Sequence, residues 1–189
     1  MDKENTRYLV RGFIDGLLST LGSVIGASAA LNSGSGVGAA TIILSAGIGS
    51  GVANGLSNVL AAFMGEKLVL GRRLEEMERA ILKEEVLKDT KVAEEIHNKI
   101  MKGGIIDGIS TILGSLIPVI PFVLVLGGIL SGNSGLYASV ILSTIIFFIL
   151  GGYIGKIAKE NMIISGTKMA AFGVMTALIV RLLRLALGT

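Results

Sequence analysis

Five long apolar runs, at residues 8–31, 37–64, 104–130, 136–154 and about 163–187, take up most of this chain and leave it few ways to fold. A bilayer's hydrocarbon core of about 30 Å is crossed by a helix of about 20 mostly apolar residues. Such a helix satisfies every backbone N–H and C=O within itself, which lipid cannot do for it. Each run meets that length, so the expected fold class is an all-α integral membrane protein with five transmembrane helices. Composition agrees, since 16% of residues are charged against roughly 25% in soluble domains.

The basic residues give an orientation. Of 17 Lys and Arg, 15 fall at Lys3–Arg11, between Lys67 and Lys102, or between Lys156 and Lys168, all on one side of a five-span chain. The connections around "NSGSG" (32–36) and "SGNSG" (131–135) carry no charge. Positive charge marks the cytoplasmic side, which puts the N-terminus inside and the C-terminus outside. Arg181 and Arg184 lie near the outer end of the last run, at a depth from which they can snorkel. The net charge of +3 then reflects topology, and no basic stripe interleaved with aromatics points to nucleic acid. "MDKENTRY" holds acids and leads into a full-length span, unlike a cleaved signal peptide. Without cysteine there is no disulfide framework, thiolate metal site or cysteine nucleophile. These features fit a prokaryotic plasma membrane better than an organelle.

The chain also repeats itself. "GFIDGLLSTLGSVIG" (12–26) and "GIIDGISTILGSLIP" (104–118) share eight of 15 positions, and "ATIILS" (40–45) matches "ASVILS" (138–143) more weakly. A duplicated two-helix hairpin, helices 1–2 and 3–4, explains this. Both copies start inside, so the repeat is parallel, a symmetry that transporters use. Glycines four apart, including Gly12/Gly16, Gly47/Gly51/Gly55, Gly104/Gly108 and Gly151/Gly155, allow close helix packing in lipid. The expected organisation is helices 1–2 in 1–65, a charged cytoplasmic helical insert in 66–102, and helices 3–5 in 103–189.

Asp15 is seven residues past Tyr8, about 10 Å along a helix, and so lies in the hydrocarbon. A carboxylate there costs about 2.5–3.5 kcal/mol on insertion scales, which makes it a functional-site hypothesis by default. A hard carboxylate suits a divalent cation or a proton. Asp107, its repeat-mate, follows "KGG" closely, which favours a helix start where the macrodipole welcomes an acid. In the second run Ser50, Asn54, Ser57 and Asn58 recur at helical spacing, with Met64, Gly65 and Glu66 beyond them. Asparagines in a span commonly bond neighbouring helices, and their convergence with Asp15 suggests a path lined with oxygen ligands.

In the insert, Leu70, Leu74, Met77 and Ile81 form one apolar helical face, and a second short helix is expected after "KDTK". A Glu/Lys-rich helix is ordinarily a solvated face with i,i+4 pairs. Here Glu75-x-x-Glu78 and Glu94-x-x-His97 each set two potential ligands on one face, with Glu84, Glu85 and Met101 nearby. Carboxylate with imidazole suits Fe(II), Mn(II) or Zn(II) better than Ca(II).

Four stretches together, "DGLLSTLG" in the first run, "MGEK" closing the second, "IPVIPF" (117–122) in the third and "SGTKMAAFG" opening the fifth, resemble the vacuolar iron transporter family. The resemblance covers nearly the whole chain. It implies a homodimer that exports Fe(II), and often Mn(II), from the cytosol in exchange for protons. It also implies a path at the dimer interface using Asp15 and a methionine of the second helix, fed by glutamates and a methionine of the insert. The family pattern is similar to Ser-Met-x-x-Gly-Glu-Tyr, where this chain reads "AAFMGEK", so Ala62 holds the methionine's place and Met64 stands two residues on. Two residues turn a side chain by about 200° around a helix.

The expected function is proton-coupled export of Fe(II), Mn(II) or another divalent metal, with the metal as cargo and no resident cofactor. Path residues are Asp15, Asn54, Asn58, Met64, Glu66 and Asp107. Metal ligands are Asp15, Glu66, Glu75, Glu78, Glu84, Glu85, Glu94, His97 and Met101. The alternative is a membrane protein that binds metal or a partner through its insert and transports nothing. An enzyme is not expected: an acid pair of Asp15 and Asp107 would need both carboxylates within reach of one water.

Overall fold

The computed structural model describes residues 3–32, 36–80 and 91–186, and within these the chain is helical with short turns. Helix α1 is Lys3–Ala27, followed by a 3-10 turn at Ser28–Asn32. Then come α2 (Gly36–Ala80), α3 (Lys91–Leu126), α4 (Gly132–Ile157) and α5 (Met162–Ala186). All five are long and apolar enough to cross a membrane, with spans at Asn5–Asn32, Val37–Gly65, His97–Leu126, Gly132–Ile157 and Met162–Ala186.

Two helices run past the membrane limits that hydropathy suggests. Residues 66–80 do not form a separate helix but continue α2, and residues 91–102 are the first turns of α3. The reason is local: between "MGEK" and Ala80 there is no proline and only Gly71 interrupts a run of good helix formers, so nothing stops α2 at the membrane edge. The same holds at Gly103 and Gly104, which lie inside α3.

Helix α3 is central, with α1, α2 and α4 packed against it, while α5 packs on α4 and α1. Glycines make the inner contacts. A side chain on Gly12 would run into the backbone of Asp107, one on Gly16 into that of Thr111, and one on Gly114 into that of Phe13. On the neighbouring face of α3, a methyl on Gly55 would stand 2.8 Å from the Gly108 carbonyl oxygen. These seams bring α1 and α2 against neighbouring faces of α3 at backbone distance, which is how helices gain contact in lipid, where apolar side chains gain little by meeting.

Larger side chains fill the rest. Val24, Ile43, Val119 and Phe122 form one buried cluster among α1, α2 and α3. Leu17, Leu21, Ile25 and Phe147 form a second where α1 meets α4 and α5. Pro118 and Pro121 sit inside α3 without ending it, and Ser139 Oγ of α4 donates to the Pro118 carbonyl at 2.5 Å. Ser131 caps α4, accepting from the Ser134 amide at 3.3 Å. Asn161 Oδ1 caps α5 by accepting from the amides of Ile163 and Ile164.

Candidate functional site

The close approach of α1, α2 and α3 gathers a polar cluster inside the apolar bundle. Asn58 of α2 donates through Nδ2 to Asp15 Oδ2 of α1 at 3.1 Å and to Thr111 Oγ1 of α3 at 2.9 Å. An amide nitrogen has two hydrogens, so one side chain joins three helices. One turn along α2, Asn54 Nδ2 donates to Ser19 Oγ at 3.2 Å and to the Asp15 carbonyl oxygen at 3.5 Å. Thr111 Oγ1 donates in turn to the Asp107 carbonyl oxygen at 2.8 Å. The four-residue spacing of Asn54 and Asn58 puts both on the α2 face toward α1, as helical geometry requires.

Asp15 and Asp107, which hold matching places in two similar stretches of sequence, have different surroundings. Asp107 is fully buried, and its carboxylate pairs with the guanidinium of Arg11 across α1 and α3. Arg11 also lies over the ring of Tyr8, 5.5 Å from its centroid. The expectation that Asp107 begins a helix is therefore corrected: it is well inside α3, and its partner is an arginine rather than a free helix end. Asp15 is exposed at the surface of the single chain, and among the described residues no cation pairs with it. Its side-chain partner is the neutral amide of Asn58.

Among the other sequence-predicted residues, Met64 is 64% exposed, on a face it shares with Leu56, Leu60 and Phe63 around a groove of about 410 Å³. Glu94 and His97 are exposed on the first turns of α3, and Met101 is half-buried. The described residues contain no group of three or more His, Asp or Glu placed to hold a metal. Glu84 and Glu85, and the side chains of Glu66, Glu75 and Glu78, lie outside the described residues.

Sequence reasoning missed Arg11, Ser19 and Thr111 as members of this cluster. Arg11 counted only as a topological charge, and the residue that gives it a role is 96 positions away. Ser19 offered a local signal, standing four residues after Asp15 on the same helix face.

The arrangement suits a hard cation. Asp15 offers a carboxylate and Asn54, Asn58, Ser19 and Thr111 offer neutral oxygens, the donor types that bind divalent metals without demanding a fixed geometry. A likeness over nearly the whole chain exists to an uncharacterized protein of Methanocaldococcus jannaschii, 44% identical over 178 residues, which are 94% of this chain and 87% of the relative. The VIT family model matches residues 72–183, taking in the end of α2, all of α3 and α4 and most of α5. That match covers more than half of the chain, so the chain belongs to the VIT family, a family of membrane metal-ion transporters.

Proposed function

We propose that this protein works as a homodimer that moves Fe(II), or a similar divalent ion such as Mn(II), out of the cytosol in exchange for protons. The observation that carries the proposal is the Asp15 carboxylate, placed inside an apolar span yet exposed at the surface of a single chain, hydrogen-bonded by the Asn58 amide and in no ion pair among the described residues. Lipid cannot solvate such a group. A second copy set against the same faces of α1 and α2 would enclose it in a shared polar path, two copies of Asp15 facing across it. The exposed apolar groove along Leu56, Leu60 and Phe63 gives that partner a surface to cover.

In this account the glutamates of 66–102, with His97 and Met101, form a cytoplasmic metal-collecting insert between the second and third membrane spans. Glu66 receives the ion and Asp15 binds it, alternating between metal-bound and protonated forms. The Arg11–Asp107 pair holds α1 against α3 beside the path. The duplicated hairpin supports this division: one aspartate of an ancestral pair keeps the ion chemistry and the other has become a structural partner. The charge distribution favours a cytoplasmic N-terminus, and the uncharged outer loops fit a prokaryotic plasma membrane.

The test is uptake of Fe(II) and Mn(II) into proteoliposomes with and without an imposed pH gradient. Gradient-driven uptake of either metal is expected. Absence of uptake for both metals and both gradient directions, with protein that remains folded, would favour a metal-binding membrane protein that transports nothing.

A further inference from the structure

Helices α4 and α5 meet closely at one end and part at the other. Toward the α4–α5 turn the contact is at backbone distance: side chains on Gly151 and Gly166 would stand 2.6 and 2.8 Å from the carbonyl oxygens of Ser165 and Phe148. Gly173 lies against the Phe147 ring. Beyond Gly173 the described part of α5 has no glycine, and Val174 and Leu178 face Val140 across a wedge of about 440 Å³, floored by Ile25 and Ser28.

The wedge has a mostly apolar lining and two cationic side chains. Arg181 and Arg184 line it together with Asn32 and Asn133, and among the described residues no Asp or Glu does. Arg184 is turned inward, its Nη1 donating to Ser28 Oγ at 2.6 Å, whereas Arg181 is exposed. Snorkelling explains an arginine that reaches for the interface, but not a guanidinium drawn back against α1. An amphiphile with an anionic head fits both parts, and the volume falls in the range of small-molecule sites.

We propose that this wedge binds one anionic phospholipid, with an acyl chain between α4 and α5 and the headgroup phosphate on Arg181 and Arg184. Guanidinium forks match phosphate oxygens in geometry as well as charge, and a net-anionic headgroup lacks the cation that opposes the two arginines in a zwitterionic one. The site is separate from Asp15 and is independent of the metal proposal.

Native mass spectrometry of the full chain in detergent tests it, with phosphatidylglycerol and phosphatidylcholine added in parallel and inorganic phosphate as a third arm. The expected result is retention of one phosphatidylglycerol in preference to phosphatidylcholine. That preference should be largely lost in Arg181→Gln, and Val174→Trp, which fills the wedge from an exposed position, should lose both lipids. Equal retention of the two lipids, or an unchanged preference in Arg181→Gln, would overturn the proposal. Displacement of the lipid by millimolar phosphate would show a site for the soluble anion, and a lipid-free dimer whose dissociation opens the wedge would show a second copy there. Either outcome would also overturn it.

Discussion

Asn58 holds Asp15 by a 3.1 Å hydrogen bond while its other amide hydrogen holds Thr111, so the orientation of this exposed carboxylate depends on a neutral side chain of α2 that is itself tied to α3. An amide positions a carboxylate without neutralising it. That leaves the charge of Asp15 available to a cation or proton, in contrast to Asp107, whose charge is already met by Arg11.

Asn58→Ala removes both bonds and leaves Asp15 and Thr111 without them. Interhelical hydrogen bonds in membranes are worth about 0.6 kcal/mol each and at most about 1.7, so the expected fall in metal flux is about threefold to tenfold with little change in thermal stability. Asn54→Ala, which loses a side-chain bond to Ser19 and only a 3.5 Å contact to the Asp15 backbone, should fall less. Initial rates of metal uptake, normalised to reconstituted protein, decide the order.

Arg11→Gln would leave the fully buried carboxylate of Asp107 without its cation. Removing one partner of a buried pair costs about 3–5 kcal/mol; Arg11 is itself partly exposed, so a loss near the lower end is expected. The double variant Arg11→Gln with Asp107→Asn should recover at least half of that loss, because a neutral pair can still hydrogen-bond. Thermal unfolding in detergent of the two single variants and the double variant measures the coupling directly.

Backbone contact at the α1–α3 seam predicts a steep size limit. Gly16→Ala would drive a methyl into the Thr111 backbone and should abolish a monodisperse product. Gly22→Ala, on the same helix but with its nearest neighbour, a Val180 methyl, at 3.8 Å, should be tolerated. Size-exclusion profiles of the two variants are the check.

The absence of native cysteine makes the dimer proposal easy to examine. A single cysteine at Leu60, on the exposed apolar face of α2, should cross-link between copies in membranes. One at Ile149, exposed on α4, should not.

How much of this was legible in the sequence follows from how local each signal is. Five spans could be read because hydrophobicity over about 20 residues is a property of each segment alone. The convergence of Asn54 and Asn58 with Asp15 was also legible, since helical periodicity and depth place all three at one level. Where α2 and α3 stop was not, because the chain beyond the membrane edge keeps helix-forming residues and hydropathy reports only the apolar part. Asp107 misled for a related reason. "KGG" resembles a helix start, yet glycines are common inside membrane helices, and the true partner, Arg11, belongs to another helix. Of the expected ligand set, Glu94 and His97 are exposed, and no metal cluster forms among the described residues.

The measurement that bears most directly on the central claim is Fe(II) and Mn(II) uptake into proteoliposomes under a pH gradient, comparing the wild type with Asp15→Asn. The substitution keeps the shape and the capacity to accept from Asn58 but removes the charge. The account predicts gradient-driven flux in the wild type and a loss in the variant larger than the roughly 10- to 100-fold that removing an outer-shell partner of a metal ligand costs. Flux in Asp15→Asn equal to that of the wild type would contradict it.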